Sequence, residues 1–105
     1  MMRDTRARAD SMTRKLTDQE IARDLATLTG WSRAGDTLRK TFVLPSFPAA
    51  IAFVNRVAGV ADGMDHHPDI DIRYDRVTFA LSTHSAGGLT TLDFDLARRI
   101  DLTPR

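Results

Sequence analysis

The chain has 105 residues, 42% of them hydrophobic and none of them cysteine, and a formal net charge of +1. That length supplies one compact domain, and that apolar content excludes a wholly disordered protein. The lack of cysteine excludes disulfide scaffolds, thiolate zinc sites and cysteine nucleophiles, and no apolar run approaches the roughly 18 residues of a spanning helix, so no membrane partner is expected.

In chain order, residues 1–15 come first, with five Lys or Arg against Asp4 and Asp10. This head carries a local +3 and leaves −2 for the rest of the chain. A mildly acidic body gives no electrostatic ground for nucleic-acid binding. The head lacks the apolar stretch of a secretory signal, so it is expected to be a basic, flexible tail ahead of a single domain at 16–105, in a cytoplasmic protein. Thr17-Asp-Gln-Glu20 fits a capping box, and Ile21, Leu25 and Leu28 follow as one apolar stripe. A first helix is predicted there, ending at Gly30 as its left-handed terminator.

Leu38, Phe42 and Leu44 then mark alternation, and Gly35-Asp36 supplies a turn, which predicts a hairpin over 31–34 and 37–44. Ser46 and Pro48 open a second helix, with Ile51, Val54, Ala58 and Ala61 on its apolar face, Phe47, Ala50 and Val57 beside them, and Gly63 as its stop. Ile70, Ile72 and Tyr74 fall on even positions, whereas Val77, Phe79 and Leu81 fall on odd ones. Because strand side chains alternate between faces, that change of parity predicts a second hairpin turning at Asp75-Arg76. Thr90 to Asp93 begins a third helix, with Leu92, Leu96 and Ile100 four apart, Asp93 and Asp95 in its first turn, and Arg98 and Arg99 near its last. The order α-β-β-α-β-β-α predicts an α+β two-layer sandwich: a four-stranded antiparallel sheet with three helices on one face. Its outer face and edges stay free for a partner chain.

The three histidines occupy two connections: His66 and His67 precede the third strand, and His84 follows the fourth. In this sandwich both connections can lie at one end of the sheet, where imidazoles can exchange protons near neutrality. Simpler readings stand beside that one. His66 and His67 can be surface loop residues, His84 can bond a loop carbonyl, and Asp93 can serve only as a helix cap. Gly87-Gly88 lacks the lysine of a phosphate loop, and Tyr74 and Trp31 read as half-buried packing residues. Zinc or iron could take three imidazoles with Asp65, Asp69 or Asp93. However, adjacent histidines on a strand point apart and no paired-histidine motif is present, so no metal is expected.

Asp65-His66-His67-Pro68-Asp69, Tyr74-x-x-Val77 and Thr83-His84-x-x-Gly87-Gly88-Leu89-Thr90-x-x-Asp93 together resemble the signature of pterin-4a-carbinolamine dehydratases. The resemblance extends over residues 16–102 and implies the same α-β-β-α-β-β-α fold. It implies a hydro-lyase that dehydrates 4a-hydroxytetrahydropterin to quinonoid dihydropterin without metal or organic cofactor. That activity recycles the pterin of aromatic amino-acid hydroxylases, with functional coupling to phenylalanine hydroxylase and assembly as a homodimer or homotetramer. By resemblance His66 and His84 form the acid/base pair and His67 orients the pterin. Asp65, Ser82, Thr83 and Ser85 line the pocket, and Asp93 steers a histidine tautomer. The chain departs from the common pattern at Ile70, where many members carry Trp, at Asp62, which stands in for an upstream Glu, and at Ser85, which replaces an acid. The alternative is a catalytically silent member that serves as a protein-binding or assembly module.

Overall fold

A computed structural model of the protein describes residues 14–105. Of the expected tail, residues 1–13 lie outside the described residues. Arg14 bonds Glu20 through both guanidinium nitrogens at 2.9 and 3.1 Å, and the Leu16 amide donates to the Leu89 carbonyl at 2.8 Å. The elements are α1 (Asp18–Leu25), β1 (Ser32–Ala34), β2 (Thr37–Val43), α2 (Phe47–Gly63), β3 (Asp69–Arg73), β4 (Arg76–Leu81), a single 3-10 turn (His84–Ala86) and α3 (Thr91–Leu102). The sheet is antiparallel in the order β1-β2-β4-β3. Leu38 and Phe42 from β2 and Val77, Phe79 and Leu81 from β4 share one core with Ile21, Phe53, Val57, Leu96 and Ile100 of the helices. The expected α+β sandwich is therefore the observed one.

Local chemistry sets the boundaries. Both halves of the capping box at Thr17 and Glu20 form, and the Ser46 hydroxyl accepts from the Ala49 amide to start α2. The end of α1 differs from expectation. It stops at Leu25, because Thr27 and Leu28 donate to the Asp24 and Leu25 carbonyls and tighten the last turn, while the Thr27 hydroxyl also takes the Asp24 carbonyl at 2.6 Å. Gly30 keeps its left-handed backbone (φ +86°) in the turn that follows, where an added Cβ would stand 3.0 Å from Lys40 Cε.

The buried face of α2 is Ala50, Phe53, Val57 and Ala61, rotated from the expected stripe; Ile51 and Val54 are half-buried and Ala58 is exposed. Phe53 sets the rotation, because its ring enters a cluster with Phe42 at 5.2 Å and Phe79 at 5.8 Å. The second hairpin turns at Tyr74-Asp75, one residue earlier than predicted, since Arg73 already pairs with Arg76. Tyr74 takes a left-handed φ of +55° and is 72% exposed, not half-buried. The parity change keeps its predicted consequence: Ile70 lies opposite Phe79 and Ile72 opposite Val77. β3 is nevertheless an edge strand exposed at every residue, with both isoleucines 37% accessible.

At the opposite side of the sheet, Trp31 is buried. Its indole N–H donates to Asp101, which also receives the Lys40 ammonium at 2.8 Å. This triad ties α3 to β2. Among the described residues no helix is long and apolar enough to cross a membrane.

Candidate active site

The β3–β4 register decides where the two histidine-bearing connections meet. Asp69 pairs with Ala80, so two steps further along the same register His67 stands level with Ser82. On the other side of β4, Leu38 pairs with Leu81, which brings Thr37 level with Ser82. Thr37, Ser82 and His67 are thus neighbours across one end of the sheet. Their parity is opposite to that of Leu38 and Leu81, so they belong to the face the helices leave uncovered.

A cavity of about 350 Å³ occupies this end, lined by Thr37, Ser82, His67, Ala80 and Asp69, together with Asp36, His84, Gly87 and Gly88 from the flanking turns. Its volume is at the small end of the range for ligand pockets. His84 reaches it from a short closed loop. Thr83 and Gly88 exchange backbone hydrogen bonds at 3.1 and 3.4 Å, the Ala86 and Gly87 amides close the 3-10 turn between them, and Gly87 is left-handed at φ +73°. Gly88 is a close approach: a Cβ there would sit 2.8 Å from Lys15 Cε and 3.3 Å from Asp36 Oδ1.

His66 and His67 diverge, as neighbours on an extended segment must. Asp65 turns the chain with a left-handed φ of +51°, and the His66 amide returns to the Ala61 carbonyl at 3.1 Å. The His66 ring enters the helix side, where Nε2 lies 2.6 Å from Asp93 Oδ1. Asp93 is fully buried; its other oxygen accepts from the Thr83 hydroxyl and the Thr90 amide, both at 2.9 Å. His67 stays exposed on the other side, with Nε2 3.2 Å from Asp62 Oδ1. It also borders a second, more apolar hollow of about 430 Å³ between Ala58, Gly59 and Ala61 of α2 and Pro68 and Ile70.

The expected site residues therefore fall into three places. His67, His84 and Ser82 line the cavity. His66, Thr83 and Asp93 form a buried network beside it, with Asp62 on the outer side of His67. Asp65 and Ser85 are exposed and do not line the cavity. Asp36, Thr37 and Ala80 were not singled out from sequence: only the pairing of β2 with β4 brings Asp36 and Thr37 to the histidines, and Ala80 enters as the partner of Asp69, which the sequence offered only as a possible metal ligand and as part of the signature. Among the described residues no three His, Cys, Asp or Glu side chains converge as a ligand set for a metal ion.

Residues 14–103 match the family model described as Pterin 4 alpha carbinolamine dehydratase. The chain belongs to that family. A Roseiflexus sp. (strain RS-1) protein named after the same pterin-4-alpha-carbinolamine dehydratase is 60% identical over 90 residues, covering 86% of this chain and 97% of the relative. Among solved structures, a transcriptional coactivator/pterin dehydratase from Brucella melitensis superposes with a TM-score of 0.82 at 33% identity, over 85% of this chain and 97% of its own. A pterin dehydratase-like protein described as a RuBisCO assembly factor of the alpha-carboxysome superposes with a TM-score of 0.57 at 22% identity, over 70% and 84% of the two chains, and shares the fold. Within the pterin dehydratase family frame, the histidine connections fall inside the matched span.

Proposed function

We propose that the protein dehydrates 4a-hydroxytetrahydropterin to quinonoid dihydropterin, and that the cavity at the end of the sheet holds the pterin. The observation that carries this reading is the approach of two imidazoles, His67 and His84, to one cavity from separate connections. In the reaction the C4a–O bond breaks, and a general acid protonates the departing oxygen so that it leaves as water. A general base takes the N5 proton, and the electron pair of that N–H bond becomes the C4a=N5 double bond. Two imidazoles divide these transfers without a further co-reactant, each contributing about 10²–10⁴-fold. In this reading His67 and His84 exchange protons with the substrate. His66, assigned to the acid/base pair by resemblance alone, is held behind them by Asp93. Ser82 and Asp69 supply polar groups to the pterin edge. Once a separate reductase has returned the quinonoid product to the tetrahydropterin level by a two-electron reduction, it again serves aromatic amino-acid hydroxylases, of which phenylalanine hydroxylase is the expected partner.

Self-association along β3 belongs to the same proposal. The strand has no neighbour on its outer side among the described residues, and it leaves Ile70 and Ile72 accessible beside the apolar hollow of α2. Unpaired strand edges recruit further strands, which supports a homodimer or homotetramer.

Stopped-flow breakdown of chemically generated 4a-hydroxytetrahydropterin tests the activity. The protein is expected to accelerate it, and His84→Ala to lower kcat by about 100-fold or more with the melting temperature unchanged, because an exposed loop imidazole carries little packing. A loss of only a few-fold would remove His84 from the chemistry. No acceleration by the native protein would leave the alternative, a catalytically silent assembly module; the fold-sharing carboxysome protein is described as an assembly factor.

A further inference from the structure

We propose that Thr83 is a positioning residue: together with Thr90 it anchors Asp93 Oδ2, so that Oδ1 faces His66 and holds that ring in the tautomer that carries its proton on Nε2. This deepens the dehydratase reading and rests on it for its functional meaning, though the tautomer itself does not depend on any substrate.

The direction of each hydrogen bond in the network follows from counting protons. A hydroxyl has one proton to give, whereas a carboxylate offers only lone pairs. The Thr83 hydroxyl lies 2.9 Å from Asp93 Oδ2 and spends its proton there. The Thr83 and Thr90 oxygens are 2.8 Å apart, so Thr90 must supply the proton of that contact. The Thr90 oxygen in turn accepts from the Leu92 amide at 3.2 Å. The chain therefore runs one way, from the first turn of α3 through two hydroxyls to the carboxylate. The Thr90 amide adds a second donor on the same Oδ2 at 2.9 Å. With Oδ2 taken by two donors, Oδ1 faces His66 Nε2 at 2.6 Å, a short contact to an acceptor that carries charge. The ring donates from Nε2, and Nδ1 is left as its acceptor.

Burial makes the arrangement durable. Asp93 and Thr90 have no accessible surface, Thr83 is 4% exposed and His66 8%. Among the described residues no buried side-chain nitrogen or oxygen lacks a partner. The Thr83 hydroxyl is thus committed inward and is not free to bind substrate, although its neighbours Ser82 and His84 line the cavity. For the reaction, any proton that moves through His66 arrives at Nδ1.

The test is the ¹⁵N spectrum of the His66 ring in the full chain, followed upward in pH until its two resonances no longer move. The expected spectrum has a protonated Nε2 and an unprotonated Nδ1. Thr83→Val is expected to move both resonances toward each other as the tautomers mix, and Thr83→Ser to restore the native pattern. The same variants are expected to lower kcat about tenfold and leave it within about twofold, respectively, with KM unchanged in both. A native spectrum with the proton on Nδ1, or a Thr83→Val spectrum identical to the native one, overturns the proposal. If Thr83→Val fails to fold, Thr83→Ala carries the same expectation, and a Thr83→Ala spectrum identical to the native one overturns the proposal equally. A native Nε2–H tautomer in a protein that dehydrates nothing would overturn the proposed function and leave the tautomer assignment standing.

Discussion

Replacing Asp93 by alanine removes the acceptor at the centre of the buried network. Three donors lose their partner at once: the His66 ring N–H, the Thr83 hydroxyl and the Thr90 amide. All belong to residues with less than a tenth of their surface accessible. A buried donor left unpaired costs about 1–3 kcal/mol, and water entering the vacated space can re-pair part of the loss, so the low end applies to each. The expected cost is about 3 kcal/mol, a large share of the roughly 5–15 kcal/mol that holds a domain together. In a domain of this size 1 kcal/mol moves the melting point by about 4–8 °C, so thermal unfolding followed by circular dichroism should show a fall of at least about 12 °C. Asp93→Asn provides the control. Its amide oxygen can stay on the side of Thr83 and Thr90 while its NH₂ faces a re-tautomerised His66, so it should cost about 1–2 kcal/mol, less than alanine does. A fall below about 4 °C for the alanine variant, or an asparagine variant less stable than it, would refute the reasoning.

Two further outcomes follow from the backbone and from the surface. Tyr74 holds a left-handed φ of +55° as the first residue of a two-residue hairpin loop, where the matching position of the first hairpin is Gly35 at +61°. Tyr74→Gly is therefore expected to stabilise by up to about 1 kcal/mol, read as a rise of a few degrees in melting temperature; a fall would show that the exposed ring contributes more than the strain costs. The Arg14 guanidinium holds the Glu20 carboxyl down to about 2, below its ordinary value of 4.5, with the Thr17 amide assisting. A depressed carboxylate contributes stability above its unfolded value and loses it as pH falls through the folded one. The difference in melting temperature between the native protein and Glu20→Gln should accordingly shrink between pH 4.5 and about 2. Arg14 is exposed and Glu20 partly so, and the difference should therefore also shrink in high salt; a gap that widens in acid would contradict the assignment.

What was legible in the sequence was what depends on near neighbours. Caps at Thr17, Ser46 and Thr90, the two-residue turn at Gly35-Asp36 and the parity change after Tyr74 all act within a few residues, and each appears in the structure. The buried face of α2 was not legible, because residues 47–61 are apolar almost all round and only the aromatic cluster of Phe42, Phe53 and Phe79 selects a stripe. The exposure of β3 was equally hidden: its isoleucines alternate like core residues, yet both stay 37% accessible, with a hollow between Ile70 and α2. At the site, sequence spacing pointed to the histidine connections but gave no sign of which of His66 and His67 turns inward. A left-handed Asp65 and the distant Asp93 settle that, and Asp36 and Thr37 arrive only through the pairing of β2 with β4.

The spacing between the two imidazole-bearing connections is set by the ladder that joins β3 to β4 and not by the connections themselves. Asp69 and Ala80 form its last rung, and His67 and Ser82 lie two residues beyond it on their two strands. Residues can be added to or taken from the Tyr74-Asp75 tip, or removed in opposed pairs along both strands, without altering the gap across which a guest is gripped. A single residue gained on one strand alone would shift every rung between the tip and the cleft, and would exchange the inward and outward histidines. The hairpin is thus a ruler whose far end is free to vary and whose near end tolerates no slip.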